Sequence, residues 1–349
     1  MAHIWIRAEE RENEERTGVT PLGVARLIDA GHSVTIEESR QRSIPLGDFV
    51  AMGAVSAPEA SWPDAPADAI IFGLKELPET DTPLRHRHIM FGHAYKGQPA
   101  GQRLLKRFKA GGGTLYDLEY LVDDTGRRVA AFGYWAGFAG AAVSVLAWAA
   151  AERGGQAAPV STERSAEALV DRVKQALSGL TPPDALIIGA LGRVGTGAAE
   201  LCRAVGVRTT LWDMAETASG GPFPQVLDHG IFLNCILARP GTPVFVPATA
   251  KTASRTLRVI GDIACDPDSA FSPVKVYDRA TTWADPVVRV HDDPVLDVMA
   301  IDNLPSLLPR ESSEDFAAQL LPHLIAISAI DSGVWGRAKS EFDTHLAVV

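Results

Sequence analysis

The chain has 349 residues, 46% of them hydrophobic and 22% charged, enough for about two domains that each bury a core of their own. Its net charge of -10 argues against a general binder of nucleic acid or of anionic membranes, although a local cluster of arginines can still hold an acidic small molecule. Three widely separated cysteines, Cys202, Cys235 and Cys265, show neither metal-ligand spacing nor a disulfide framework, so a cytoplasmic setting without a bound metal is expected.

Ile4 to Ile6 reads as a first strand. Thr20-Pro21 then supplies an N-cap with proline at the first helical position, and Leu22, Ala25, Leu27 and Ile28 are expected to form the buried helix face before Gly31 ends it. Ser33 to Glu37 resumes as strand, which makes the opening an α/β unit. Between the first strand and the helix, Arg7 to Arg16 is dense in Glu and Arg, and most of it reads as a solvated loop.

Two apolar runs follow with one grammar. Ala67 to Leu74 stops at Lys75, and His88 to Gly92 stops at His93. In open α/β sheets ligands gather outside the carboxyl ends of strands, so both side chains are expected in one crevice. Gln102 to Phe108 reads as an amphipathic helix ended by Gly111 to Gly113; Thr114 to Leu121 reads as strand, with a return at Arg127 to Phe132. Val129 to Ala151 has no charged residue and is long enough to span a bilayer, but its Ala and Gly content points to a buried helix linking two domains. Glu163 to Leu177 reads as a surface helix.

The most informative stretch is Ala185 to Gly197. A short apolar strand runs into Gly189, Gly192, Gly195 and Gly197, and a helical segment follows. Glycines there let the backbone approach a pyrophosphate, and the helix start offers free N–H groups and a positive dipole end. The next apolar run ends at Asp213, where a carboxylate suits an adenosine ribose and favours NAD over NADP. Further strands are expected at Ile231 to Ile236, Leu257 to Ile263 and Leu296 to Ile301, and closing helices at Asp315 to Ser328 and Val334 to His345.

Lys75 and His93 can both exchange a proton near neutral pH once their surroundings adjust them. Beside a nicotinamide they suit oxidation at a carbon bearing nitrogen or oxygen. Position alone leaves open a surface lysine paired with Glu76 and a strand-end histidine capped by backbone. Arg16, Arg127 and Arg128 can hold carboxylates, or make ordinary surface ion pairs.

Several blocks together resemble the NAD-dependent, lysine-forming saccharopine dehydrogenases, relatives of alanine dehydrogenase. They are Phe72 to Thr82, Phe91 to Lys96, Gly113 to Glu119, Gly126 to Gly133, Gly189 to Arg193, Gly220 to Phe223 and Ile301 to Arg310, in order along the chain. The resemblance implies an α/β fold of two Rossmann-like domains with an active-site cleft between them. Residues 1–132 plus about 306–349 would form the substrate domain and about 133–305 the NAD-binding domain, in a monomer without membrane or nucleic-acid partners. It implies reversible oxidation of saccharopine by NAD+ and water to L-lysine and 2-oxoglutarate, a reaction of lysine metabolism.

By the same resemblance Lys75 takes the amine proton, and His93 serves water addition and carbinolamine collapse. Arg16, Gln98, Arg128 and Phe132 contact substrate, with Glu76 and Glu119 adjusting charge. Arg127, Gly192, Arg193, Asp213, Thr217, Leu237, Ile263 and the turn Ile301, Asp302, Asn303, Leu304 line the NAD site. The chain departs from the family pattern at Val194 (usually cysteine), Leu237 (usually aromatic), Asn303 (usually histidine) and Ala264-Cys265-Asp266 (usually Ser-Ala-Asp). Two alternatives remain at this stage: a related opine or amino-acid dehydrogenase with another amine partner, and a non-catalytic NAD-binding sensor that needs neither Lys75 nor His93.

Overall fold

The computed structural model describes Met1 to Val349, and the chain divides into two compact units, residues 1–131 with 309–349, and residues 132–308. In the first unit the elements run β1 (His3–Ile6), α1 (Pro21–Asp29), β2 (Ser33–Glu37), α2 (Leu46–Ala51), β3 (Val55–Ala57), β4 (Ile70–Phe72), β5 (Arg87–Met90), α3 (Pro99–Gly111) and β6 (Thr114–Asp117). In the second they run α4 (Gly133–Glu152), α5 (Ala166–Leu177), β7 (Asp184–Ile188), α6 (Arg193–Ala204), β8 (Arg208–Trp212), α7 (Met214–Thr217), β9 (Ile231–Asn234), β10 (Val259–Asp262), β11 (Val288–Asp292) and β12 (Val295–Met299). Helices α8 (Pro309–Ile325) and α9 (Gly333–Leu346) complete the first unit.

The first sheet is parallel throughout, in the order β3-β2-β1-β4-β5-β6. That is a doubly wound order whose direction reverses between β1 and β4, so the loops leaving those two strands meet at the switch point where such sheets place ligands. The second sheet has the order β11-β12-β10-β9-β7-β8 and is parallel except for its antiparallel edge strand β11. Its reversal falls between β7 and β9. Both units are thus Rossmann-like α/β layers, as expected.

Helix α1 starts as the sequence requires: Thr20 caps it by accepting the Gly23 N–H at 3.2 Å, with Pro21 next. Its buried face differs from the expectation. Gly23, Val24 and Leu27 point inward while Leu22 is 70% exposed, because at about 100° per residue Leu22 falls on the side of the helix opposite Val24. The strand expected at Thr114 to Leu121 stops at Asp117, where the carboxylate accepts the Glu119 N–H at 2.9 Å and turns the chain. Its return is reduced to one bridge between Val122 and Arg128. The edge strands β3 and β11 and the short helix α2 were not expected.

Helix α4 is the uncharged segment of the sequence. It is long and apolar enough to cross a membrane, yet most of it is buried against α5, α6 and β10, wholly within the second unit. Small residues make this packing close. A Cβ on Gly137 would collide with the Val194 carbonyl, and one on Gly197 with the Tyr134 carbonyl, so α4 and α6 touch backbone to backbone at two reciprocal points. The last glycine of the turn therefore serves helix packing. Gly197→Ala should lower stability by about 1–3 kcal/mol, as overpacking of a filled interior does, read as a fall in Tm; an unchanged Tm would mean the two helices can separate freely.

Candidate active site

Four strand ends of the first sheet deliver the candidate residues. The loop after β1 carries Arg16, the loop after β4 carries Lys75 and Glu76, the loop after β5 carries His93, and the turn after β6 carries Glu119. The Arg7 to Arg16 loop is not the solvated segment its composition suggested. Arg7, Glu9, Glu14 and Arg16 are all buried, whereas Glu10, Arg11 and Glu12 face solvent. The buried carboxylates have internal donors in place of water: Arg16 Nε and Nη2 donate to Glu14 at 2.7 and 2.6 Å, a bidentate pair.

Lys75 lies among these groups. Burial, and next the Arg16 guanidinium, hold its pKa below the usual lysine range, partly opposed by Glu14. The neutral amine is thereby made easier to reach, which a general base needs. Burial alone would raise the Glu14 carboxyl, but Arg16 overrides it and keeps Glu14 ionised.

His93 occupies a second cluster. Its Nε2 is 3.4 Å from Glu76 Oε1 and its Nδ1 is 3.6 Å from Glu119 Oε2. Glu119 in turn accepts from Lys96 at 3.1 Å and from Arg128 at 2.8 Å. Pairing with Glu119 raises the His93 pKa above 6.5 against the opposing effect of burial. The same contact, with Lys96 and Arg128 behind it, holds Glu119 at about 2. Asp117, fully buried, accepts the Gly92 N–H at 3.2 Å and the Glu119 N–H, and burial pushes its pKa up to about 6. His93 itself has φ +46°, a left-handed conformation that costs a non-glycine residue about 1 kcal/mol. A cavity of about 240 Å3 opens beside it, lined by Glu76, Gly92, His93, Gln98, Arg103 and Arg107 among others.

In the second unit the glycine turn leaves β7 at its carboxyl end. Gly189 has φ +88° and Gly195 is pressed against the Gly189 carbonyl, so both are needed by the turn itself. Gly192 is different. It is the N-cap of α6 with no capping side chain, it is exposed, and a Cβ there would meet only the Gly189 carbonyl, at 3.4 Å. The first turn of α6 thus offers uncapped N–H groups across an open approach, a fit for a pyrophosphate. Asp213 follows β8 as the N-cap of α7; its carboxylate accepts the Leu191 N–H and the Met214 N–H, both at 2.9 Å, and forms a capping box with Glu216. That fixes a half-exposed carboxylate beside the glycine turn, where a ribose would lie.

Residues 5–139 match the family model for the alanine dehydrogenase/PNT N-terminal domain. The chain is 44% identical to the saccharopine dehydrogenase [NAD(+), L-lysine-forming] of Candida albicans, over 99% of this chain and 97% of that one. It is 46% identical to the protein of the same name from Yarrowia lipolytica, over 98% and 97%. Among solved structures it superposes on an L-alanine dehydrogenase with a TM-score of 0.68 at 20% identity, covering 99% of this chain and 93% of the other. The chain belongs to the NAD+-dependent, L-lysine-forming saccharopine dehydrogenase family.

In this member of the saccharopine dehydrogenase family the sequence-derived positions fall into distinct places. Arg16 and Lys75 share one cluster, and Glu76, His93, Glu119 and Arg128 share the other, with Glu76 next to Lys75 in the chain and Gln98 at the N-cap of α3. Arg127 is exposed in the first unit, on the turn around Asp123. Phe132 stands at the N-cap of α4. Around the second sheet, Gly192, Arg193, Leu237 and Asp302 are exposed, Asn303 and Thr217 half-buried, with the Thr217 hydroxyl donating to the Asp213 carbonyl. Ile263, Ile301 and Leu304 put their side chains into the core, two of them against Gly140 of α4. The three cysteines are unpaired, and burial pushes their thiols up, Cys202 and Cys265 to about 12. Sequence reading missed Glu14 and Asp117; the strand-end position of Asp117 was the signal available for it.

Because Glu119 is the first cause of the raised His93 pKa, Glu119→Gln should lower it, observable by NMR titration of the imidazole. Glu119 contributes stability above pH about 4.5 that is lost as pH falls toward its folded value of about 2, and His93 contributes stability below pH about 6.5 that is lost as pH rises through its raised value. An unmoved His93 titration in the variant would dismiss the pairing.

Proposed function

We propose that this chain oxidises saccharopine with NAD+ and water to L-lysine, 2-oxoglutarate and NADH, in either direction. The observation that carries this is mid-forties identity over nearly the whole chain to proteins of that name, with a first unit that gathers a half-buried lysine and a carboxylate-paired histidine at adjacent strand ends. A bound NAD+ supplies the hydride acceptor; the glycine turn, Gly192, Arg193 and Asp213 would hold it, with Thr217, Leu237, Ile263 and the Ile301 to Leu304 turn around it.

Lys75, its pKa lowered by burial and by Arg16, takes the proton from the secondary amine nitrogen as its carbon is oxidised to the imine level. His93 then manages water: its imidazole accepts a proton as water adds to the imine carbon and returns one to nitrogen as the carbinolamine collapses, with Glu76 and Glu119 favouring the protonated ring between those steps. Arg16 and Arg128, with Gln98 and Phe132, place the substrate's carboxylates. An acidic protein binds such a substrate only through local cation clusters of this kind.

Purified protein with saccharopine and NAD+ should give NADH absorbance, with NADP+ far poorer. Turnover of another opine-like amine but not of saccharopine would move the assignment to a sister dehydrogenase. Lys75→Met should lower kcat by about 10²–10⁴-fold, the usual range for a lost general base, while leaving NAD+ affinity intact; full activity would remove the catalytic role. Asp213→Ser should weaken NAD+ binding by about tenfold and relax discrimination against NADP+, measured by titration with both cofactors. Equal NAD+ affinity would mean another group meets the ribose.

A further inference from the structure

Strand β4 ends at Phe72, three residues before Lys75. The segment between is held by side chains. Glu9 places one carboxylate oxygen on the Leu74 N–H at 2.6 Å and the other on the Lys75 N–H at 2.9 Å. Arg7 Nη1 stands 3.4 Å from that carboxylate and donates to the Ala8 carbonyl at 3.0 Å, while Nη2 donates to the Lys75 carbonyl. The Lys75 residue is therefore gripped at its N–H by an anion and at its C=O by a cation. Both gripping groups are buried, Arg7 at 2% and Glu9 at 8% exposure. Gly73 makes room for the arrangement, since a Cβ there would sit inside the Arg7 guanidinium. Only one further backbone contact ties this segment to the sheet beyond Gly73, the Leu74 carbonyl accepting the Phe91 N–H at 2.9 Å.

We propose that the buried Arg7–Glu9 pair is a positioning device for Lys75, fixing the direction in which its side chain leaves the backbone and hence the rate of proton abstraction. The inference rests on the role proposed for Lys75. Neither residue needs to touch substrate. A purely apolar plug could fill the same volume but could not satisfy two N–H groups and a carbonyl at once, and a lone carboxylate would be an unbalanced buried charge. Ion pair and backbone contacts together give a rigid support where a loop would otherwise let the base wander, and a displacement of about 1 Å is enough to cost about 10²-fold in rate.

The test uses the full chain. Glu9→Gln keeps the side-chain size but turns one acceptor into a donor facing an N–H. It should lower kcat for saccharopine oxidation by about 10–100-fold, with the KM for NAD+ within about twofold of the parent, as expected for a loss confined to the chemical step. Introduced into Lys75→Met, the same change should alter the residual rate by less than about threefold, because no base is left to position. An equal fall in both backgrounds would mark Glu9 as a general structural residue and overturn the proposal. So would a parental kcat in Glu9→Gln when Lys75→Met alone is impaired, a result that leaves the function reading standing. Full activity in Lys75→Met would overturn both. If Glu9→Gln does not fold, Gly73→Ala, which pushes on Arg7 from the other side, takes its place in the cycle with the same expected and overturning outcomes.

Discussion

Buried carboxylates that accept backbone N–H groups hold the first unit's strand ends in place. Glu9 takes the amides of Leu74 and Lys75, Asp117 those of Gly92 and Glu119, and Glu37 those of Ala8, Ala60 and Trp62 together with the Trp5 indole. An ionised carboxylate carries about four acceptor sites and must fill them when water is excluded. Glu37 takes four donors, and Glu9 and Asp117 take two amides each, in every case by drawing loops onto the acid. The loops that carry Lys75, His93 and Glu119 are all gathered this way, so the placement of the proposed proton carriers depends on polar groups outside that proposed chemistry.

The two units share a layer plan and use it differently. In the second, β8 is followed directly by Asp213, whose carboxylate stays half-exposed after bonding two amides. In the first, the second strand likewise ends on an acid, Glu37, but that side chain is fully covered and its oxygens are spent on four internal donors. The first connection of the second unit is a glycine turn; that of the first is the charged loop with Arg7, Glu9, Glu14 and Arg16. One plan therefore yields an open glycine turn beside a half-exposed carboxylate in one unit and a buried, internally paired charged loop in the other, through what sits at two equivalent strand ends.

Much of this was legible in the chain. Thr20-Pro21 announced α1, the spaced glycines and Asp213 announced the nucleotide-type turn, and Lys75 and His93 stood out as proton carriers at the ends of apolar runs. What stayed hidden was hidden for physical reasons. A binary pattern treats Glu and Arg as outward-facing, so it cannot see that Glu9 and Glu14 are buried with internal donors. The same blindness extended the strand past Asp117, where a carboxylate turns the backbone, and missed β3 and β11, edge strands that need cover on one side only. Leu22 looked like core because it is apolar, although it falls on the side of α1 opposite the buried Val24. Gly197 looked like part of a phosphate cradle, although its missing side chain answers to α4.

The close fit of α4 on the second sheet has a consequence for sulfur chemistry. Cys202 and Cys235 sit in that same interior, covered and with thiols kept protonated, and Val194 puts no third sulfur into the glycine turn. A capped, uncharged thiol is inert to alkylating agents and peroxide alike. Both sulfurs become reactive only when the layer over them lifts, so the pace at which a thiol dye labels them is a built-in clock for local opening of the second unit.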